Sequence, residues 1–229
     1  HASKCHFMDN GLTKVPLVVW AAIGRGWGSG AQHSQAIQGL LVGVPGLKIV
    51  MPSTPYDAKG LMLQAIEDNS PTLIFEHRWL MKKSGFVPKE RYLVPIGRGV
   101  CRREGRHLTI VGASHAIELA YQASKLLSEV GVEVEVIDLR SIQPLDNEII
   151  EDSVKKTGRL LVVDTGWAIG GVCAEIGCRA AEKWFSYLKG PVRRVGLPDV
   201  PTPAGFALEQ YYYPTANDIA DIAKEMCEK

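Results

Sequence analysis

At 229 residues the chain has room for two modest domains, each able to bury a core. Its 26 basic and 25 acidic residues leave a net charge of +1, which removes the electrostatic argument for nucleic acid or an anionic membrane as partner. No apolar run approaches the roughly 20 residues of a membrane span, and five cysteines without a C-x-x-C pair suggest a reducing compartment rather than a disulfide framework or zinc site.

Residues 1–14 are polar and carry no recognisable domain start. The apolar run Leu17-Val18-Val19-Trp20 predicts a strand. Gly24-Arg25-Gly26-Trp27-Gly28-Ser29-Gly30 follows as a loop whose glycines permit positive φ or close backbone approach. Ile37, Leu40, Leu41 and Val44 then recur at helix spacing, which crowds Gln32, His33, Ser34 and Gln35 into the first helical turn. Unpaired N–H groups and the positive dipole end there suit anionic ligands. Three readings of the loop stand side by side. It is a polar-capped strand-to-helix connection, a dinucleotide fingerprint of the form Gly26-x-Gly28-x-x-Ala31, or an active-site loop delivering His33, histidine being the side chain that titrates unperturbed near neutral pH. The fingerprint lacks the acid expected at the end of the next strand, and Trp27 is bulky for a pyrophosphate turn.

Pro45-Gly46 breaks the chain, and 47–51 reads as a short buried strand. Thr54, Pro55 and Asp57 then form a helix start with cap, first position and capping-box partner. Ala58, Leu61, Met62, Ala65 and Ile66 supply that helix with a packed face, and Asp68-Asn69-Ser70-Pro71 ends it before a β-rich run at 72–76. Glycines and prolines interrupt any periodicity over 78–106, and Arg98, Arg102, Arg103 and Arg106 there read as a solvated linker.

Beyond the linker, 108–111 is a strand, and Ser114 caps a helix that reaches Glu129 and stops at Gly131. Val132, Val134 and Val136 alternate with Glu133 and Glu135, predicting a strand with one wetter face. Pro144 and Asp146 start a helix that Gly158 closes, and 160–163 is a buried strand. Residues 164–171 repeat the strand–glycine loop–helix form. Cys173 and Cys178 are expected in the core, 192–195 is a last strand, and 198–203 is a rigid connection. Tyr211-Tyr212-Tyr213 reads as buried at an interface, and Thr215-x-x-Asp218 caps a terminal helix. Alternating strands and helices imply parallel sheets, and the part from 106 onward is expected to be self-contained.

Three motifs in order, G-R-G-W-G-S-G-A-Q-H-S-Q, V-P-G-L-K-I-V-M-P-S-T-P-Y-D-A-K-G-L and V-I-D-L-R-S-I-Q-P-L-D, resemble the beta subunit of thiamine diphosphate-dependent 2-oxo-acid dehydrogenases, relatives of transketolase. The resemblance covers essentially the whole chain. It implies an α/β fold of two parallel-sheet domains: a partial pyrimidine-binding domain at 1–85, a linker at 86–105, and a transketolase C-terminal-like domain at 106–229. The family's catalytic glutamate is expected upstream of residue 1, and Glu67, Asp68 and Glu76 are not in its motif. His33 is implied as a catalytic residue that exchanges a proton with substrate or lipoyl sulfur.

The cofactors implied are thiamine diphosphate and Mg2+, bound between an alpha and a beta subunit with the magnesium on the alpha side. A bound K+ is implied at Val15, Leu17, Val18, Ala65, Asp68 and Ser70, largely through main-chain carbonyls. Ser70 stands where several relatives have Asn, and Trp20 where many have Arg. The implied partners are the alpha subunit, a second beta subunit in a heterotetramer and a lipoyl-bearing acyltransferase. The implied location is the cytoplasm, or the mitochondrial matrix in a eukaryote. The fragment alone is expected to be inactive. The alternatives are a non-catalytic assembly or dimerisation fragment of such a subunit, or another transketolase-like enzyme.

Overall fold

The computed structural model describes residues 1–25 and 28–228. Gly26 and Trp27, on which the dinucleotide reading and the objection to it both rest, lie outside the described residues. The first part of the chain runs α1 (Ala2–Met8), β1 (Val18–Ile23), α2 (Gly30–His33), α3 (Gln38–Val42), β2 (Lys48–Val50), α4 (Pro55–Glu67) and β3 (Thr72–His77). The second runs β4 (Val100–Arg103), β5 (Leu108–Gly112), α5 (His115–Glu129), β6 (Val134–Asp138), β7 (Ser141–Gln143), α6 (Asn147–Thr157), β8 (Leu160–Trp167), α7 (Val172–Lys183), β9 (Arg193–Leu197), α8 (Phe206–Tyr212) and α9 (Ala216–Glu228).

Two sheets result, ordered β1-β3-β2-β7 and β4-β6-β5-β8-β9. The pairs among β1, β2 and β3, and among β5, β6, β8 and β9, are parallel, as alternating strands and crossover helices require. Each sheet also ends in an antiparallel strand that periodicity did not reveal. β4 lies inside the stretch read as linker and pairs with β6, while β7 leaves the second half of the chain to pair with β2 of the first sheet. Strands of three or four residues are too short to carry a period of two.

Local capping signals held where the cap is made within one turn. The Thr54 hydroxyl accepts from Asp57 N at 3.1 Å, and Gly158 takes the left-handed conformation at φ 73° that closes α6. Thr215 and Asp218 cap each other at the start of α9. The helix expected across 32–44 is broken, because Gln35 O accepts from Gly24 N at 3.0 Å instead of continuing a helical ladder. Buried Gln38 starts α3 by donating to Asp164 Oδ1 of β8 at 2.9 Å. Ser114 precedes α5 with φ 55° and makes no side-chain cap.

The largest apolar cluster joins both parts of the chain. Ile23, Ile49, Met51 and Phe75 of the first part pack with Val111, Ile137, Leu139, Val162 and Trp184 of the second. Residues 106 onward thus close part of their apolar surface on β1, β2 and β3, beside a second cluster of their own built on Leu108, Ile110, Ala120 and Val195. Polar contacts seal the same junction. Arg102, read as a solvated linker residue, bridges Asp57 of α4 and Asp138 of β6, both fully buried, and lies 2.8 Å from Asp138 Oδ2. Ser53 donates to the same carboxylate, and Arg140 approaches Asp57 Oδ1 at 2.8 Å. Burial pushes the Asp138 carboxyl up, against the pull of Arg102 and Ser53.

Two burial expectations are corrected. Glu135 is buried rather than on a wet face, because Lys156 reaches it. Cys173 is in the core, but Cys178 faces solvent one and a half turns further along α7. Tyr212 and Tyr213 pack with Leu197 and Trp167 within the chain, and Tyr211 is 90% exposed on its surface, so an interface for Tyr211 would be with a partner chain. The turn of α8, which sequence patterning missed, sends Tyr211 outward.

Candidate functional site

The glycine loop is shaped by what presses on it. Gly24, Gly28 and Gly30 all have positive φ, of 75°, 68° and 64°. A side chain on Gly24 would run into the His77 ring, and side chains on Gly28 and Gly30 would meet Ala204 at 3.0 and 3.1 Å. The loop is thus held between the end of β3 and the connection after β9, where only glycine fits. Arg78 fastens it further, its Nη1 donating to Gly24 O at 2.7 Å and to His33 O at 2.5 Å.

His33 is the last residue of the single turn α2, and its side chain is exposed. The expected position at a helix start is corrected to a helix end, for the Gly24–Gln35 reason given above. Its backbone is fixed while its imidazole remains open to solvent or to a partner.

Beneath the loop lies a stack that no sequence motif announced. His77 is 1% exposed and accepts from Trp79 N through Nδ1 at 3.3 Å, so its neutral form carries the proton on Nε2. Its ring stacks on His115 at 4.7 Å between centroids, and Trp79 lies 5.5 Å from the His115 ring. Arg25 places its guanidinium 4.0 Å from the Trp79 ring centre and 4.8 Å from that of Tyr213, with Glu209 at 3.8 Å. Burial drives His77 down to about 3 and His115 down to about 4, with the neighbouring cations adding to the effect.

This stack sets an acid limit on stability. His77 is neutral in the folded chain and titrates at about 3 instead of 6.5. Its contribution is complete above about pH 6.5 and is lost as pH falls towards 3, where the folded form also takes the proton. His77→Gln is expected to save about 2 kcal/mol of the loss between pH 7 and pH 4.5. Urea midpoints at the two pH values measure it, and an equal loss in both proteins would refute the assignment.

The residues expected to hold K+ lie around the start of β1 and the end of α4. Asp68 Oδ2 meets Lys48 Nζ at 2.5 Å, and Asp68 Oδ1 accepts from Ser70 N at 2.8 Å. The Leu17 carbonyl accepts from Thr72 N, and the Val15 carbonyl from Leu17 N. Trp20 sits half-exposed on edge strand β1. Glu76, near the end of β3, borders a separate cavity of ≈ 300 Å³ with Ser53, Thr54 and Lys83.

A metal-like grouping among the described residues is Cys101, Glu104 and Glu135. The Lys156 ammonium contacts both glutamates, and burial with those two carboxylates pushes the Cys101 thiol up to about 11. No described helix is long and apolar enough to cross a membrane.

Comparison with known proteins gives this geometry its family. Residues 1–83 match the transketolase pyrimidine binding domain, and 97–219 match the transketolase C-terminal domain. The acetoin:2,6-dichlorophenolindophenol oxidoreductase subunit beta of Bacillus subtilis is 39% identical over 98% of this chain. The pyruvate dehydrogenase E1 component subunit beta of Rickettsia felis is 39% identical over 99%, and the 2-oxoisovalerate dehydrogenase subunit beta of Bacillus subtilis is 35% identical over 99%. The chain spans 66%, 69% and 70% of their respective lengths. A split-gene transketolase solved as an inactive beta4 tetramer shares the fold, with a TM-score of 0.78 at 24% identity over 94% of this chain and 67% of that one. With both domain types matched in order, the chain belongs to the transketolase-like family of 2-oxo-acid dehydrogenase beta subunits.

Proposed function

We propose that the chain is the His33-bearing part of the beta subunit of a thiamine diphosphate-dependent 2-oxo-acid dehydrogenase. It works with an alpha subunit and a second beta subunit, and passes an acyl group to a lipoyl-bearing acyltransferase. The observation that carries this reading is the loop: a backbone pinned by Arg78, His77 and Ala204 presents an exposed His33 imidazole. A fixed backbone with an open imidazole suits proton exchange with a substrate oxygen or a lipoyl sulfur that arrives on another chain.

The residues present do not fit thiamine diphosphate and Mg2+ on their own. The acid grouping at Glu104 and Glu135 is neutralised by Lys156, and the sequence has no glycine-rich diphosphate–magnesium motif. The contribution assigned to this chain is therefore to position His33, not to hold the cofactor by itself.

The gene product containing this chain, paired with its alpha subunit and supplied with thiamine diphosphate and Mg2+, is expected to decarboxylate at least one of pyruvate, 2-oxoisovalerate and 2-oxobutyrate. The 229-residue chain alone is expected to turn over none of them and to give no calorimetric signal with the cofactor. Failure of the assembled protein on all three would defeat the proposal. Turnover by the isolated chain would show that the cofactor site is misplaced.

A further inference from the structure

The C-terminal sheet has a topological switch point. From β5 the chain crosses through α5 to β6 on one side, while β8 lies on the other side of β5 and continues outward through α7 to β9. In open α/β sheets the crevice beyond the carboxyl ends of two such strands is where ligands sit. Here that crevice is real: a cavity of ≈ 480 Å³ reaches from His115, the first residue of α5, to Thr165 near the end of β8. This volume is in the range of small-molecule sites.

Its polar groups are left over from folding. The Thr165 hydroxyl is buried, with the residue 4% exposed, and has no hydrogen-bond partner among the described residues. His115 Nδ1 is likewise buried and unpartnered, although its ring is stacked. A buried hydroxyl without a partner costs about 1–3 kcal/mol, so its survival calls for an occupant. The 15-residue helix α5 aims its positive end at the same space.

Charge and shape then narrow the occupant. Arg25 brings a guanidinium into the wall, steadied between Trp79 and Tyr213 and ion-paired with buried Glu209 at 3.8 Å, a separation that leaves its N–H groups without a hydrogen bond to that carboxylate. Leu119, Leu197 and Pro214 also line the cavity. The helix start, the hydroxyl donor and the guanidinium N–H groups favour an anion, and the apolar and aromatic walls favour an organic body attached to it.

We propose that this crevice binds a small carboxylate with an apolar or aromatic body, at a site that His33 does not line. It draws walls from both domains, with Arg25 and Trp79 from the first and His115 and Thr165 from the second. Occupancy therefore ties the glycine loop to the C-terminal sheet. The inference does not rest on the decarboxylase reading, because it concerns binding by the 229-residue chain without catalysis.

The test is calorimetry and thermal unfolding of that chain with phenylacetate, its neutral analogue phenylacetamide, and inorganic phosphate. Phenylacetate is expected to saturate below about 10 mM, with phenylacetamide and phosphate weaker by about tenfold, the worth of one charge-assisted hydrogen bond. Thr165→Val keeps the shape and removes the unpartnered hydroxyl. It is expected to leave the ligand-free melting temperature unchanged or higher while weakening phenylacetate by about tenfold. His115→Gln is a second, independent probe with the same expected loss of affinity. Absence of saturation in the parent chain overturns the proposal, as does phenylacetate affinity in both variants equal to that of the parent chain. Phosphate binding as tight as phenylacetate overturns the assignment to an organic carboxylate.

Discussion

Replacing His33 with Ala in the assembled enzyme is expected to lower acyl transfer by about 10²–10⁴-fold, the usual worth of a positioned general acid or base. The same substitution is expected to change stability by no more than about 0.5 kcal/mol, since the side chain is exposed. The two readouts separate because Arg78 holds the His33 backbone through its carbonyl, a bond that the substitution leaves in place. Lipoamide-dependent turnover and a melting curve on the same preparation measure both. Unchanged turnover would remove His33 from the chemistry, and a large loss of melting temperature would make its role structural.

Arg102→Ala is expected to destabilise the chain by about 3–5 kcal/mol, the cost of stripping one partner from a buried ion pair. It would leave Asp57 and Asp138 fully buried at the junction of the two sheets without the guanidinium that spans them. For a chain of this size the melting temperature should fall by about 10 °C or more. Arg98, four residues earlier, is the internal control. Its pair with Glu148 is at 2.9 Å but largely exposed, so Arg98→Ala should leave the melting temperature close to that of the parent chain. Arg102→Lys should fall between, because one ammonium cannot present the fork that reaches both carboxylates. Equal losses for the Arg98 and Arg102 variants would remove the clamp from the account.

The contrast between those two arginines marks where local pattern stops being informative. Both stand in one glycine- and proline-broken stretch of 78–106, and nothing within ten residues distinguishes them. Only the pairing of β4 with β6, and the approach of α4, bring Asp57 and Asp138 to Arg102. Glu135 and Cys178 teach the same point. An alternating glutamate becomes buried when a lysine 21 residues away reaches it, and a cysteine at helix spacing faces solvent when no neighbour covers that side.

What the amino-acid sequence determined by itself is whatever one or two turns of chain can decide. Thr54 and Asp57 cap α4, Asp146 and Gly158 bound α6, and the apolar runs at β5 and β8 become buried parallel strands, because those choices rest on local hydrogen bonds and burial of adjacent side chains. The motif around His33 was legible too, as a loop with its glycines and its family. The tertiary structure alone decided that His33 ends a helical turn instead of opening one, that the two sheets share a continuous core, and that His77, His115, Trp79 and Arg25 meet beneath the loop. Those four side chains lie up to 90 residues apart, from Arg25 to His115, and their meeting depends on two sheets closing on each other. No period or spacing along the chain encodes a contact of that range.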